Sequence, residues 1–114
     1  MHEFSIALSI VDIAREEVVK NNALGVEKID LEIGKLSGVE IDSLKFIWEP
    51  AVKDTVLENA KRDIDEVEAV SRCQDCDHVF PAEYLFNECP ACGSLLTVLQ
   101  KGKELRVKSL TLKT

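Results

Sequence analysis

Cys73-Gln74-Asp75-Cys76 and Cys89-Pro90-Ala91-Cys92 are two C-x2-C pairs, and twelve residues separate them. Each pair brings two thiolates to one side of a tight turn. Two such turns facing each other give the tetrahedral sulfur set that suits zinc. Because four thiolates leave no open coordination position, we expect this metal to be structural and not catalytic. The zinc ligands predicted from the spacing are Cys73, Cys76, Cys89 and Cys92.

The residues beside the two pairs differ in how well they suit such turns. Pro90 favours the second turn, and Gly93 can adopt a positive φ where the chain leaves it. Asp77 lies after the first pair, where glycine would be easiest, although aspartate tolerates that conformation better than most residues. His78 has two interpretations: a solvent-exposed loop histidine, or an alternate zinc ligand or a side chain that orients one.

Disulfide bonds are the main alternative for the cysteines. They require an oxidising compartment, and the sequence begins with no recognisable export signal. A thioredoxin-like redox site would use one C-x2-C pair and not two. We therefore expect reduced, metal-binding cysteines and a cytoplasmic protein.

Composition narrows the classes of partner. The chain has 114 residues, 46% of them hydrophobic, and a formal net charge of −7. This length fits one domain with a small appendage. An acidic protein is repelled by phosphate backbones, and no apolar run approaches the roughly 18 residues of a membrane span. We expect neither a nucleic acid nor a membrane as a partner.

Two helices are predicted from apolar residues at helical spacing. The first should run to about Lys20, where Asn21-Asn22 provide a stop. The second should begin near Asp42, and Pro50 should end or kink it because proline removes a backbone donor. Trp48 or Phe46 on this helix should belong to the core.

Three strands are predicted from alternation. Residues 28–33 form a half-buried strand, and Leu105–Leu112 form a final one. Residues 64–70 read as a strand of mixed phase, which indicates a bulge or burial on both faces.

These elements predict an α+β fold in which two helices pack on a small, about three-stranded sheet. The cysteines form an inserted, zinc-ribbon-like module. The predicted domains are 1–72 plus 105–114 for the α+β part and 73–104 for the zinc-binding module.

The N-terminus carries a second candidate metal site. The amine of Met1, the amide of residue 2 and the imidazole of His2 can close successive chelate rings on nickel(II) or copper(II). Glu3 could add an oxygen ligand or hold the imidazole in place. The alternative is an ordinary helix start with Glu3 at the positive end of the helix dipole.

Several stretches resemble the HypA/HybF family of hydrogenase maturation proteins, which carry nickel. The start of the chain, Met1-His2-Glu3 followed by Ser5, Ala7, Ser9 and Ile10, resembles the N-terminal signature of that family. Glu32–Val39 resembles its strand-to-helix turn, the cysteine pairs match its zinc module, and Gly102–Leu105 with the last strand matches its ending. The likeness spans the whole chain. Asp77, Pro50 and a glycine-free loop at 52–62 depart from the family pattern.

The resemblance implies a nickel metallochaperone and not an enzyme. It implies Ni(II) at the N-terminus, with His2 as the essential ligand and with Met1 and Glu3 contributing through amine, amides or carboxylate. It also implies structural Zn(II) on the four cysteines. The implied partners are a maturation GTPase of the HypB type and the hydrogenase large subunit, and for some members a urease accessory protein. The alternative is a zinc-ribbon interaction module that transfers no nickel.

Overall fold

The computed structural model describes residues 2–114 and has two helices and two three-stranded sheets. The sheets have the strand orders β2-β1-β6 and β4-β3-β5. The predicted α+β class is confirmed. The elements in chain order are α1 (His2–Lys20), β1 (Gly25–Gly34), α2 (Ile41–Val52), β2 (Lys61–Val67), β3 (Val70–Cys73), β4 (Val79–Pro81), β5 (Thr97–Lys101) and β6 (Leu105–Lys113).

Helix α1 ends as its sequence predicts. Asn22 adopts a left-handed backbone with φ of 52°. Its N–H donates to the Val19 carbonyl at 3.2 Å, and the N–H of Ala23 donates to the Val18 carbonyl at 2.9 Å. This pair of bonds is the Schellman motif, which satisfies the last carbonyls of a helix. The buried face has helical spacing and consists of Ala7, Ile10, Val11, Ala14 and Val18.

Strand β1 and helix α2 supply most of the remaining core beside α1. Ile29, Leu31 and Ile33 are buried, as the alternation predicts. On α2, Trp48 is 5% exposed and Phe46 is 85% exposed, so Trp48 is the core residue of the two. Pro50 lies inside α2, and the helix ends two residues later at Val52.

The strand predicted over residues 64–70 is wrong as a single element. The chain forms β2 up to Val67 in one sheet and starts β3 at Val70 in the other sheet. Two strands of different sheets need not share one alternation phase, which accounts for the mixed pattern. A register shift does occur in the pairing of β3 with β5, between Val70 and Ser71.

The chain divides into two compact units. The first comprises the residues up to Leu31 together with Val39–Asp65 and Arg106–Thr114, and the second comprises Glu32–Gly38 and Glu66–Leu105. The second unit thus contains the whole of residues 73–104. In it, β3 pairs antiparallel with both β4 and β5.

The apolar core of the second unit is small. One buried cluster consists of Cys73, Phe80 and Cys89, so two of its three members are predicted metal ligands. A core of this size supplies little folding energy, and a metal that bridges the cysteines would add to it.

Two glycines of the second unit bring backbones into close approach. A Cβ at Gly34 would lie 2.1 Å from the carbonyl oxygen of Gly102, and one at Gly102 would lie 2.6 Å from the Cα of Ala69. The N–H of Leu36 donates to that same Gly102 carbonyl at 2.7 Å. Within residues 2–114, no helix has the length and apolarity required to cross a bilayer.

Candidate metal centres

The two cysteine turns have the same backbone hydrogen bonds. In the first, the N–H of Cys73 donates to the His78 carbonyl at 2.9 Å, and the N–H of Asp77 donates to the Cys73 carbonyl at 3.0 Å. In the second, the N–H of Cys89 donates to the Ser94 carbonyl at 2.9 Å, and the N–H of Gly93 donates to the Cys89 carbonyl at 2.9 Å. The two turns therefore have the same backbone conformation, with hydrogen bonds between residues at the same spacings.

The residue after each pair adopts a left-handed backbone. Gly93 has a φ of 77° and Asp77 has a φ of 61°. The sequence prediction for both positions is confirmed. The Asp77 carboxylate also accepts a charged hydrogen bond from Arg72.

The four cysteine sulfurs converge on one point. All four lie within 4.8 Å of one another, with 3.6 Å between Cys73 and Cys92 and 3.7 Å between Cys76 and Cys89. A tetrahedron with zinc–sulfur bonds of about 2.3 Å has edges of about 3.8 Å. These separations also exceed a disulfide bond of roughly 2.05 Å, and the cysteines are free. The arrangement is compatible with a structural metal such as zinc.

The thiols of this cluster do not ionise equally. Burial raises the pKa of Cys73, but hydrogen bonds from the backbone N–H groups of Cys76 and Asp75 outweigh it, and the pKa falls to about 7. The N–H of Ser94 lowers the pKa of Cys92, but the sulfurs of Cys73 and Cys76 raise it to about 12. Near neutral pH the Cys73 sulfur therefore ionises far more readily than the Cys92 sulfur, and a bound divalent cation would help to hold Cys92 as a thiolate.

Hydrogen bonds that the sequence pattern did not predict join the two turns. The Ser94 hydroxyl, beside the second turn, donates to the Asp75 carboxylate of the first turn at 2.5 Å. The N–H of Gln74 donates to the Leu96 carbonyl at 2.8 Å. Neither contact has a sequence signature, because each joins residues about twenty positions apart.

His78 contributes its backbone to the first turn and stacks its ring on a neighbour. The imidazole is 5.9 Å from the Phe80 ring centroid, with an interplanar angle of 16°. Within residues 2–114, the group of side chains that could hold a metal ion consists of the four cysteines. A role for His78 as an alternate or orienting ligand stays a prediction.

The candidate nickel site lies at the start of α1. Met1 is outside the described residues. His2 is the first residue of the helix and is exposed. The Glu3 carboxylate accepts a hydrogen bond from the N–H of Glu40 at 3.3 Å. Glu40 is the N-cap of α2, and its own side chain makes no capping hydrogen bond.

Comparison with known proteins decides the family. The sequence profile described as "Hydrogenase/urease nickel incorporation, metallochaperone, hypA" matches residues 1–112. The chain belongs to the HypA family. It is 48% identical to the "Hydrogenase maturation factor HypA" of Parabacteroides distasonis over 99% of this chain and 98% of the relative. It is 45% identical to the HypA of Geotalea daltonii over 97% and 98%.

Solved HypA structures share the fold. The solution structure of the nickel metallochaperone HypA from Helicobacter pylori aligns with a TM-score of 0.68 and 27% identity over 97% of both chains. A second HypA solution structure aligns with a TM-score of 0.70 and 30% identity, over 98% of this chain and 96% of that one. Members of the HypA family are maturation factors and metallochaperones and not enzymes.

Proposed function

We propose that this chain is a nickel metallochaperone that binds Ni(II) at Met1, His2 and Glu3 and delivers it during maturation of the [NiFe]-hydrogenase large subunit. The match to the HypA profile over residues 1–112 is the observation that carries this proposal. The exposed position of His2 at the start of α1 supports it, because an incoming or outgoing ion can reach the imidazole from solvent.

The helix start also suits amide coordination. The first four N–H groups of an α-helix have no acceptor within the helix. Nickel can therefore replace the amide protons of His2 and Glu3 without breaking a helical hydrogen bond. An amine, amide and imidazole nitrogen set is the kind that Ni(II) binds in a square plane. Since the ion displaces protons, its affinity should rise with pH.

The Glu3 carboxylate has a second part in this proposal. One of its oxygens already accepts the Glu40 N–H at the start of α2. A negative charge there also interacts favourably with the α2 dipole. Glu3 would thus hold the metal-binding end of α1 against α2 while its backbone amide takes part in coordination.

In the same proposal, zinc on Cys73, Cys76, Cys89 and Cys92 is structural. The near-tetrahedral sulfur separations and the small apolar core around Cys73 and Cys89 support this role. The functional division is a nickel-binding part, 1–72 plus 105–114, and a zinc-binding module, 73–104.

The proposed partners follow from the family. The chain would act with a HypB-type GTPase and the hydrogenase large subunit, and the family description adds urease as a second destination for nickel. The four reduced cysteines favour the cytoplasm as the place of action.

The test compares the two histidines of the chain. In untagged, zinc-loaded protein, His2→Ala should abolish Ni(II) binding by calorimetry, while zinc content stays near one ion per chain. His78→Ala is the matched control and should bind nickel as the parent does. A residue added before Met1 should weaken binding, because it moves the amine out of chelating reach.

Unchanged nickel binding by His2→Ala would contradict the N-terminal site. A parent chain that binds zinc but no nickel would favour the alternative, a zinc-ribbon interaction module.

A further inference from the structure

The segment between β4 and β5 exposes large aromatic side chains. Tyr84 is 66% exposed and Phe86 is 89% exposed. Single exposed apolar residues are common on protein surfaces, but two aromatic rings on one short segment form a patch. Such a patch is a candidate contact surface for a partner.

The conformation of this segment is held by Asn87. Its side-chain oxygen accepts hydrogen bonds from the N–H groups of Glu83 and Tyr84 at 3.3 and 3.2 Å, and its amide nitrogen donates to the Tyr84 carbonyl at 2.5 Å. The Thr97 hydroxyl on β5 donates to the Asn87 carbonyl at 2.6 Å. The two rings therefore lie on a hydrogen-bonded turn that is joined by a further hydrogen bond to β5 of the β4-β3-β5 sheet.

Tyr84 and Phe86 line an open surface cavity, and two glutamates line it as well. Its volume is about 300 Å³, and its walls include Tyr84, Phe86, Pro90, Glu83 and Glu88. Both glutamates are exposed. Among residues 2–114, neither carboxylate forms an ion pair.

The surrounding sequence has no cation to offset this charge. Residues 73–92 contain four acidic residues and no lysine or arginine. Any group that neutralises the two carboxylates of the cavity must therefore come from elsewhere in the chain or from another molecule.

We propose that this cavity binds an arginine side chain of a partner protein, with the guanidinium between the aromatic rings and the carboxylates. A guanidinium stacks on aromatic faces and donates paired hydrogen bonds to a carboxylate. The three methylene groups of arginine match the apolar walls formed by Phe86 and Pro90. A second copy of this chain is a poorer occupant, because its own net charge is −7.

The experiment uses the zinc-loaded, nickel-free chain and two synthetic peptides, acetyl-Leu-Arg-Leu-amide and acetyl-Leu-Gln-Leu-amide. Tyr84 is the single tyrosine, so its ring signals in NMR spectra report the cavity without ambiguity. The arginine peptide should shift these signals, and the glutamine peptide should bind about tenfold more weakly because it lacks the charge. Glu88→Gln and Phe86→Ala should each weaken binding of the arginine peptide.

The control variants distinguish binding at this cavity from nonspecific binding of the peptide to other exposed residues. Phe46 is 85% exposed, close to the 89% of Phe86, but lies on α2 in the first unit. Phe46→Ala and Glu16→Gln should leave peptide binding unchanged. Equal affinity for the two peptides, or no shift of Tyr84 at millimolar arginine peptide, would overturn the proposal. So would shifts that depend on protein concentration alone and vanish in Phe86→Ala, because the occupant would then be a second copy. His2→Ala should bind the peptide normally, so this result is independent of nickel binding.

Discussion

Substitutions of Asp77 can show how strictly its cysteine turn requires a residue with a left-handed backbone conformation. Its φ of 61° costs a β-branched side chain about 1–2 kcal/mol. Asp77→Val should therefore weaken zinc binding by about tenfold, as measured by competition with a chromogenic chelator. Asp77→Gly should retain binding, because glycine adopts this conformation freely and the Arg72 contact that it loses is a surface ion pair.

Gln74→Val is the control, since Gln74 lies in the same turn without a positive φ. If Asp77→Val and Gln74→Val bind zinc equally well, backbone conformation does not limit the site.

For single residues, the sequence predicts backbone conformation better than it predicts hydrogen-bond partners. The positive φ of Asp77 and Gly93 follows from local spacing, because a turn within six residues sets it. The bond from Ser94 to Asp75 and the bonds of Asn87 depend on where distant or irregular segments meet in the fold. Serine, aspartate and asparagine are common in any loop, so their presence did not identify these contacts.

Between neighbouring elements, Ser109 of β6 and Asp30 of β1 form a hydrogen bond of 2.8 Å. This bond, helped by Lys28, lowers the pKa of the Asp30 carboxyl below its ordinary value of 3.8. A lowered folded-state pKa stabilises the fold above the unfolded pKa, and that contribution is lost as the pH falls through the folded value.

Ser109→Ala should therefore raise the pKa of Asp30, as followed by NMR titration of its side chain. The parent should unfold at a higher denaturant concentration than Ser109→Ala at neutral pH, and the difference should shrink as the pH falls below the ordinary carboxyl pKa of 3.8. An Asp30 pKa that is unchanged in the variant would contradict this role for the hydroxyl.

The contact between Gly34 and Gly102 predicts which glycines the second unit requires. A Cβ at Gly34 would lie 2.1 Å from a backbone oxygen, which cannot move like a side-chain tip. Gly34→Ala should lower the free energy of unfolding by about 3 kcal/mol in denaturant titrations. Gly102→Ala should act in the same direction, since Gly102 also has a φ of 120°.

Gly25→Ala is the matched control at the other end of β1. No atom lies within 4 Å of a Cβ placed there, so this substitution should leave stability within about 0.5 kcal/mol of the parent. A Gly34→Ala variant as stable as Gly25→Ala would show that the two backbones can separate at little cost.

The boundary between β2 and β3 shows what sequence periodicity cannot predict, namely the sheet to which a strand belongs. Alternation identified strand residues at 64–70, but it did not reveal that Val67 and Val70 belong to different sheets. Pairing partners are set by contacts with distant strands, and a period of two residues carries no information about them.

For the whole molecule, zinc removal should affect the two compact units differently. The helices and their buried faces belong to the first unit, while the cysteines and the small Cys73–Phe80–Cys89 cluster belong to the second. A strong chelator should therefore broaden or collapse the NMR signals of β3, β4 and β5 and leave most of the helical circular dichroism at 222 nm intact. Cys73→Ser should act like the chelator.

Restoring one equivalent of zinc should return the β3–β5 signals of the parent but not those of Cys73→Ser. Loss of the helical signal in step with zinc would show that the first unit also depends on the metal.

The whole-chain architecture was the part best predicted from sequence. The α+β class and the convergence of the four cysteines are confirmed, since both follow from apolar periodicity and ligand spacing. The second three-stranded sheet was not predicted. Its strands β3, β4 and β5 are three to five residues long, too short to show a reliable period.

Each cysteine turn contributes one buried cysteine and one exposed cysteine. Cys73 and Cys89 are buried, whereas Cys76 and Cys92 are exposed. In the zinc-loaded chain, an attacking oxidant or competing chelator would reach the two exposed cysteines, Cys76 and Cys92, first. These two cysteines belong to different turns. When the first of these ligands is lost, its turn still binds the zinc through the sulfur of the buried cysteine. Metal loss would therefore proceed in steps, and the partly detached ion could rebind before the module opens.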